Sequence, residues 1–191
     1  MLKNLGNEVN NSLETIHFNV GVNETTLILD MGNETNPIKR SPQLTPLSRE
    51  HHEGLLFGWK IKQGLKNGTD INTIGRFVQW FWASHLQEHF RLEEQVLAAY
   101  MPAGDLQVDR MINEHQEIEA LIHINENIVD EANLLNIADA IANHIRFEER
   151  EFFPHAESTI SLENLDKVYE QLSIEKALPG NWKDEFWVKK A

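Results

Sequence analysis

The sequence predicts an all-α fold, an up-down-up-down four-helix bundle followed by one short extra C-terminal helix. Three observations carry this. From Thr45 onward, apolar residues recur at spacings of three and four, the pattern of a helix with one buried face. Helix-stopping residues, Asn67-Gly68, Pro102 with Gly104, and Pro154, cut that pattern into long segments. The connections between the segments are short, which favours antiparallel neighbours.

Residues 1–40 form an extension apart from the rest, rich in asparagine and without helical periodicity. Within it, Ile16–Val20 and Thr25–Leu29, separated by Gly21–Glu24, fit a small hairpin, and a disordered arm fits equally well. The bundle occupies 41–160. Thr45-Pro46 opens the first helix, threonine as the cap and proline in the first turn. That helix runs through His51, Leu55 and Trp59 to about Leu65. The second starts after Asp70 and continues to about Tyr100. The third spans Leu106 to Asn127, and the fourth runs from Glu131 to Phe153, where Pro154 stops it. In the remainder, 161–191, Leu162–Leu172 reads as a shorter helix, and a tail with Trp182, Phe186 and Trp187 packs on the outside.

Composition narrows the chemistry. The 191 residues are 41% hydrophobic, enough for one domain with a sizeable core. The net charge of −13 repels phosphate backbones, so no nucleic-acid partner is expected. The absence of cysteine excludes disulfides, thiolate metal sites, iron–sulfur ligation and cysteine nucleophiles. Met1-Leu2-Lys3-Asn4 does not begin a signal peptide, and no apolar run approaches the ~18 residues of a membrane span. A cytoplasmic protein with no membrane partner is therefore expected, and the Asn-x-Ser/Thr triplets at Asn10, Asn23, Asn33 and Asn67 are read as chance.

Three histidines are each followed four residues later by glutamate: His89/Glu93, His115/Glu119 and His144/Glu148. On a helix such a pair points one imidazole and one carboxylate the same way. Each pair interrupts an apolar stripe: Ile74, Val78, Trp82, His85, His89, Glu93 on the second helix; Met111, His115, Ile118, Glu119, Ile122 on the third; Ile137, Ile141, His144, Glu148 on the fourth. A buried carboxylate without a partner cation costs several kcal/mol, and Arg91 and Arg146 point off the stripes. A lone core histidine is usually just hydrogen-bonded. Three pairs on three stripes favour a metal cluster.

An internal repeat completes the set. Glu50-His51-His52-Glu53 echoes Glu114-His115-Gln116-Glu117, and His89-Phe-Arg-Leu-Glu93-Glu94 echoes His144-Ile-Arg-Phe-Glu148-Glu149. Two such halves about a pseudo-twofold axis bring His51, His89, His115 and His144 together with Glu93 and Glu148, four nitrogens and two carboxylates able to hold two metal ions. His52 lies ~100° around the helix from His51 and is the alternative ligand there. His85, one turn before His89, is read as a histidine supporting the site or lining a channel. His17, His123 and His155 lack a partner pattern and are expected at the surface. The Glu-x-x-His of ferritin-like bundles occurs only as Glu14/His17, and a zincin His-Glu-x-x-His is absent.

The words Arg49-Glu50-His51-His52, His89-Phe90-x-x-Glu93-Glu94, Glu114-His115 and His144-x-x-x-Glu148-Glu149-x-x-Phe152-Phe153-Pro154 resemble those of the hemerythrin-like, or HHE cation-binding, domains. The likeness covers residues 41 to 160. It implies a hemerythrin-like four-helix bundle with two non-haem iron ions, bridged by two carboxylates and by an oxo or hydroxo oxygen. There are two departures. Oxygen-carrying hemerythrins have His-x-x-x-His on the third helix where this chain has His115-x-x-x-Glu119. If Glu119 replaces that histidine as a ligand, iron binding, redox sensing or oxidase-like chemistry fits better than oxygen carriage. The iron–sulfur repair relatives carry an N-terminal cysteine that this chain lacks.

The expected function is a di-iron protein that binds or senses dioxygen, nitric oxide, peroxide or iron, more a binder of metal and ligand than an enzyme. Two rivals stand beside it. One is a di-iron enzyme turning over peroxide or nitric oxide, with Glu119 or His85 shuttling protons. The other is a metal-free or zinc-holding helical scaffold for protein contacts.

Overall fold

The computed structural model describes residues 15–18, 25–28, 40–174 and 180–189. The chain divides into two units, Met1–Pro37 and Ile38–Ala191. In the first, strands β1 (Thr15–Phe18) and β2 (Thr25–Ile28) pair antiparallel, with Thr15 opposite Ile28 and Phe18 opposite Thr25. That is the hairpin the sequence allowed, with each strand ending one or two residues earlier; the remainder of residues 1–39 lies outside the described residues.

The described part of the second unit is all helical. It begins with α1 (Thr45–Lys66). Thr45 does not cap this helix. Leu44 occupies the cap position with no side-chain hydrogen bond, and the Thr45 hydroxyl instead donates to the Ser41 carbonyl at 3.0 Å. The second run is continuous but not uniform. It comprises α2 (Ile71–Phe81), a π-turn at Trp82–Leu86, α3 (Gln87–Leu92), a second π-turn at Glu93–Leu97 and a 3₁₀ turn at Ala98–Tyr100. The third is α4 (Leu106–Asn127). The fourth joins α5 (Glu131–Phe147), a π-turn at Glu148–Phe152 and α6 (Phe153–Thr159), and α7 (Leu162–Leu172) follows. Asp70, Asp105, Asp130 and Ser161 each accept a backbone N–H at the start of α2, α4, α5 and α7.

Pro154 does not end the fourth helix as expected. Proline breaks a helix because it lacks the N–H for the bond to residue i−4 and its ring crowds that carbonyl. Here the preceding turn is widened: the Phe153 N–H bonds to the Glu148 carbonyl, five residues back, and Pro154 falls in the first turn of α6. No helix among the described residues is long and apolar enough to cross a membrane.

Two apolar clusters fill the interior. One gathers Phe57, Ile61, Phe77, Phe81, Leu86, Phe90, Ile118, Ile122, Ile141 and Ile145; the other gathers Leu44, Leu47, Leu92, Val96, Met111, Phe147, Phe152 and Phe153. Along α1 and α4 the chain passes from the second cluster to the first, and along the second and fourth runs from the first to the second. On all four, the change of cluster falls at the predicted histidines and glutamates. α1 and α5 approach closely: a Cβ on Gly58 would lie 3.2 Å from the Ala138 carbonyl oxygen. The C-terminal tail packs on the outside, with Phe186 buried in the notch at Gly64 and Trp182 and Trp187 half-buried beside it against Phe77.

Candidate metal centre

His51 comes from α1, His115 from α4, and the pairs His89/Glu93 and His144/Glu148 from the second and fourth runs. All six are buried, and Glu93 and Glu148 are wholly inaccessible to solvent. They form two overlapping groups, His51, His89, Glu93, Glu148 and Glu93, His115, His144, Glu148, each with its ligand atoms within 4.8 Å of one another. Both groups use both carboxylates.

The inner atoms converge. The His51 Nε2 lies 3.0 Å from Glu148 Oε2 and 3.6 Å from Glu93 Oε1. His89 Nε2 to Glu93 Oε1 and His144 Nε2 to Glu148 Oε2 are both 3.2 Å, and His115 Nε2 is 3.4 Å from Glu93 Oε2. Yet the Nε2 of His51 and both oxygens of Glu93 and Glu148 have no aligned hydrogen-bond partner among the described residues. Buried polar groups are rarely left so. Ligands bound to one ion at ~2.1 Å and at right angles stand ~3 Å apart, so these atoms are spaced as neighbours on a common centre. The Nε2 atoms of His115 and His144, 3.0 Å apart, fit that reading, since two facing lone pairs need a cation or a proton between them.

A second ring of carboxylates aims the imidazoles. Nδ1 of His51 meets Glu149 at 2.6 Å, Nδ1 of His89 meets Glu50 at 2.8 Å, Nδ1 of His115 meets Glu94 at 2.7 Å, and Nδ1 of His144 meets Glu114 at 2.9 Å. A carboxylate accepts, so the proton sits on Nδ1 and the Nε2 lone pair points inward, the usual second layer of a metal site. These four glutamates were missed as functional residues in the sequence. Their signal was there: each is the chain neighbour of an inner residue, in Glu50-His51, Glu93-Glu94, Glu114-His115 and Glu148-Glu149. Adjacent helical residues point ~100° apart, so one faces the centre while its neighbour reaches round to an imidazole on the next helix.

The backbone repeats as well. Glu93 and Glu148 each open a π-turn, closed by the N–H of Ala98 or Phe153 on the glutamate's own carbonyl. Such bulges recur at functional sites because they re-aim a side chain within a helix. Rings close the walls. Phe90 stacks on His115 at 3.7 Å between centroids, and Phe153 lies parallel to His51 at 5.2 Å.

The protons of the metal-free site follow from this geometry. Burial alone would lower the histidine values, but the neighbouring carboxylates outweigh it. His89 and His144 are pushed up to about 9, and His51 and His115 are also raised. Burial likewise disfavours charge on Glu93, yet His89, His115 and His51 hold it well below the usual carboxylate range. Glu148 is lowered by His144 and His51 against both burial and the charge of Glu93. Glu149, against burial, is held at about 2 by His51, Ser48 and Arg40.

Three further candidates fall outside both groups. Glu119 was expected to face the core with His115; instead it is exposed and lies 3.5 Å from His123 Nε2. The buried face of α4 runs through Met111, His115, Ile118, Ile122 and Asn125, so it turns toward Ile118 and away from Glu119. His85 is half-buried, stacks on Phe81 at 4.5 Å and meets Ser84 Oγ at 2.7 Å through Nδ1. The π-turn at Trp82–Leu86 places Leu86, not His85, on the buried stripe. His52 is half-buried beside the buried His51. His123 is exposed as expected, while His155 is partly covered and bonds Asp105 at 2.7 Å; His17 lies in β1.

The Hemerythrin HHE cation binding domain model matches residues 47–156 of the chain. No curated protein and no solved structure gives a match.

Proposed function

The chain belongs to the hemerythrin HHE cation-binding domain family, and on that premise we propose that it holds two iron ions side by side and uses them to bind or sense a small diatomic or oxygen-derived ligand. The observation that carries this is the pair of overlapping four-residue groups sharing Glu93 and Glu148, whose buried oxygens have no other aligned partner. In this reading the helices run up-down-up-down; the short connections 67–70, 101–105 and 128–130 support it, as does the alternating order of the two apolar clusters.

His51 and His89 would hold one ion, His115 and His144 the other, and Glu93 and Glu148 would bridge both. Bound iron supplies redox cycling between ferrous and ferric states and open positions for dioxygen, nitric oxide or peroxide. The protein's own part is to fix and shield. The outer glutamates lock the imidazole tautomers, and Phe90 and Phe153 keep water from two of the rings. With Glu119 turned away from the site, each ion would receive two imidazoles, a different pair for each, and a share of both carboxylates. Matched shells without a fifth histidine favour sensing or buffering over oxygen carriage.

The test is the metal content of the purified protein together with its optical spectrum. Two irons per chain and a near-ultraviolet oxo-bridge band are expected. Zinc alone, a single iron, or no metal with unchanged melting after His89→Ala would overturn the di-iron reading, and the last of these would favour a helical scaffold for protein contacts.

A further inference from the structure

Arg40 lies ahead of α1 and outside the matched span 47–156. No ligand set requires it, yet its side chain is only 7% exposed. Its Nη2 donates to the backbone oxygen of Glu149 at 2.6 Å and to Glu149 Oε2 at 2.7 Å. The other oxygen, Oε1, accepts from His51 Nδ1 and from the Ser48 hydroxyl, both at 2.6 Å. The same guanidinium sits 4.9 Å from the centroid of Phe153, whose ring is stacked on His51 with 9° between the planes. Arg40 therefore bears on His51 through two different neighbours.

The repeat-related positions are built otherwise. Glu94 stands to His115 as Glu149 stands to His51, but it is 35% exposed and no lysine or arginine bonds it among the described residues. Arg110 holds Glu114, behind His144, and lies 3.8 Å from the centroid of Phe147, but it is 47% exposed. Water screens such an exposed pair and leaves a buried one at strength.

We propose that Arg40 is a positioning residue for His51, making the His51/His89 half of the site depend on the segment before α1 while the His115/His144 half does not. This rests on the two-ion reading above. Without Arg40, Glu149 keeps only a hydroxyl and the imidazole it is meant to hold, and Phe153 loses the cation covering it. The carboxylate then turns toward water and the His51 ring loosens.

The test uses the full chain with R40M, R40K and R110M. The first readout is the imidazole ¹⁵N signals of the metal-free protein, which a general loss of stability would not move selectively. R40M is expected to shift the His51 signals and leave those of His115 and His144 in place. The second readout is chelator competition on protein loaded with ferrous iron: one of the two ions should become about tenfold easier to remove, the lower end of the effect of altering a metal ligand's support. R40K keeps the charge but loses the planar fork; it should shift the same signals less, and it decides the matter if R40M does not fold. R110M, whose guanidinium bonds Glu114 behind His144, should leave the His51 signals in place. The proposal is overturned if His51 is unmoved in the folded variants, if both ions loosen together, or if R110M acts like R40M. A wild-type chain holding fewer than two ions refutes the two-ion reading, and the His51 signals of the metal-free protein still judge Arg40 separately.

Discussion

Glu148→Gln is the sharpest perturbation of the centre. The carboxamide has the shape of the carboxylate but no charge, and Glu148 belongs to both four-residue groups. Its Oε2 stands 3.0 Å from His51 Nε2 and 3.2 Å from His144 Nε2, so the change strips one anionic donor from each half. Metal at ~100 times its dissociation constant stabilises a folded protein by ~2.7 kcal/mol per site, hence ~5 kcal/mol for two. A chain of this size melts ~2–4 °C higher per kcal/mol, so loading should raise the wild-type melting temperature by ~10–20 °C. In Glu148→Gln most of that rise should vanish. The metal-free variant should also be less stable at neutral pH by up to ~3–5 kcal/mol, since the buried histidines lose their counter-charge. Thermal melts with and without metal, alongside metal content, decide this. A variant that keeps the full metal-dependent rise would refute the assignment of Glu148 as a shared ligand.

Acidity should act with opposite signs on the two kinds of group. Histidines raised from 6.5 to about 9, His89 and His144, give stability that is complete below 6.5 and lost as pH climbs through 9. Glu93 and Glu148, both lowered from 4.5, give stability present above that value and lost in acid. The metal-free protein should be most stable between these limits, and loading at pH 7 should release protons, measurable by calorimetry in buffers of different ionisation enthalpy. Glu94→Gln should weaken metal binding ~10–100-fold, read by chelator competition, by loosening the hold on His115. Glu119→Ala should leave metal content unaltered and stability within ~0.5 kcal/mol, because its carboxylate is exposed beside His123; lost metal would return Glu119 to the site. Gly64→Ala would set a Cβ 2.6 Å from the Phe186 ring, so it should cost ~1–3 kcal/mol and alter tryptophan fluorescence without touching the metal.

Much of the centre can be read along the chain because it is built on helices. A helix converts spacing into direction, so His89 with Glu93 and His144 with Glu148 could be placed on one face before any packing was known. The same rule failed where the helix departs from its ordinary period. His85 sits one turn before His89 on an ideal stripe, but the π-turn at Trp82–Leu86 puts Leu86 there instead. In sequence Pro154 reads as a stop, and the π-turn opened at Glu148 removes the conflict that would make it one. Glu119 failed for a plainer reason. Both Ile118 and Glu119 are within reach of His115 in sequence, and burying isoleucine is favourable while burying an unmatched charge is not.

By itself the sequence determined the helical segments, the doubled histidine–glutamate pattern, the exclusion of thiolate chemistry, and the resemblance to a cation-binding family. These are local properties: periodicity, composition and words of a few residues. Tertiary structure alone decided which carboxylate supports which imidazole. Glu50 reaches His89, Glu94 reaches His115, Glu114 reaches His144 and Glu149 reaches His51, always across to a neighbouring helix. It also brought Arg40, 109 residues from Glu149 along the chain, into the support of one half of the site. Spacing fixes direction only within a helix. Which side chains meet between helices depends on their relative placement, set by how the two apolar clusters pack on either side of the buried charges.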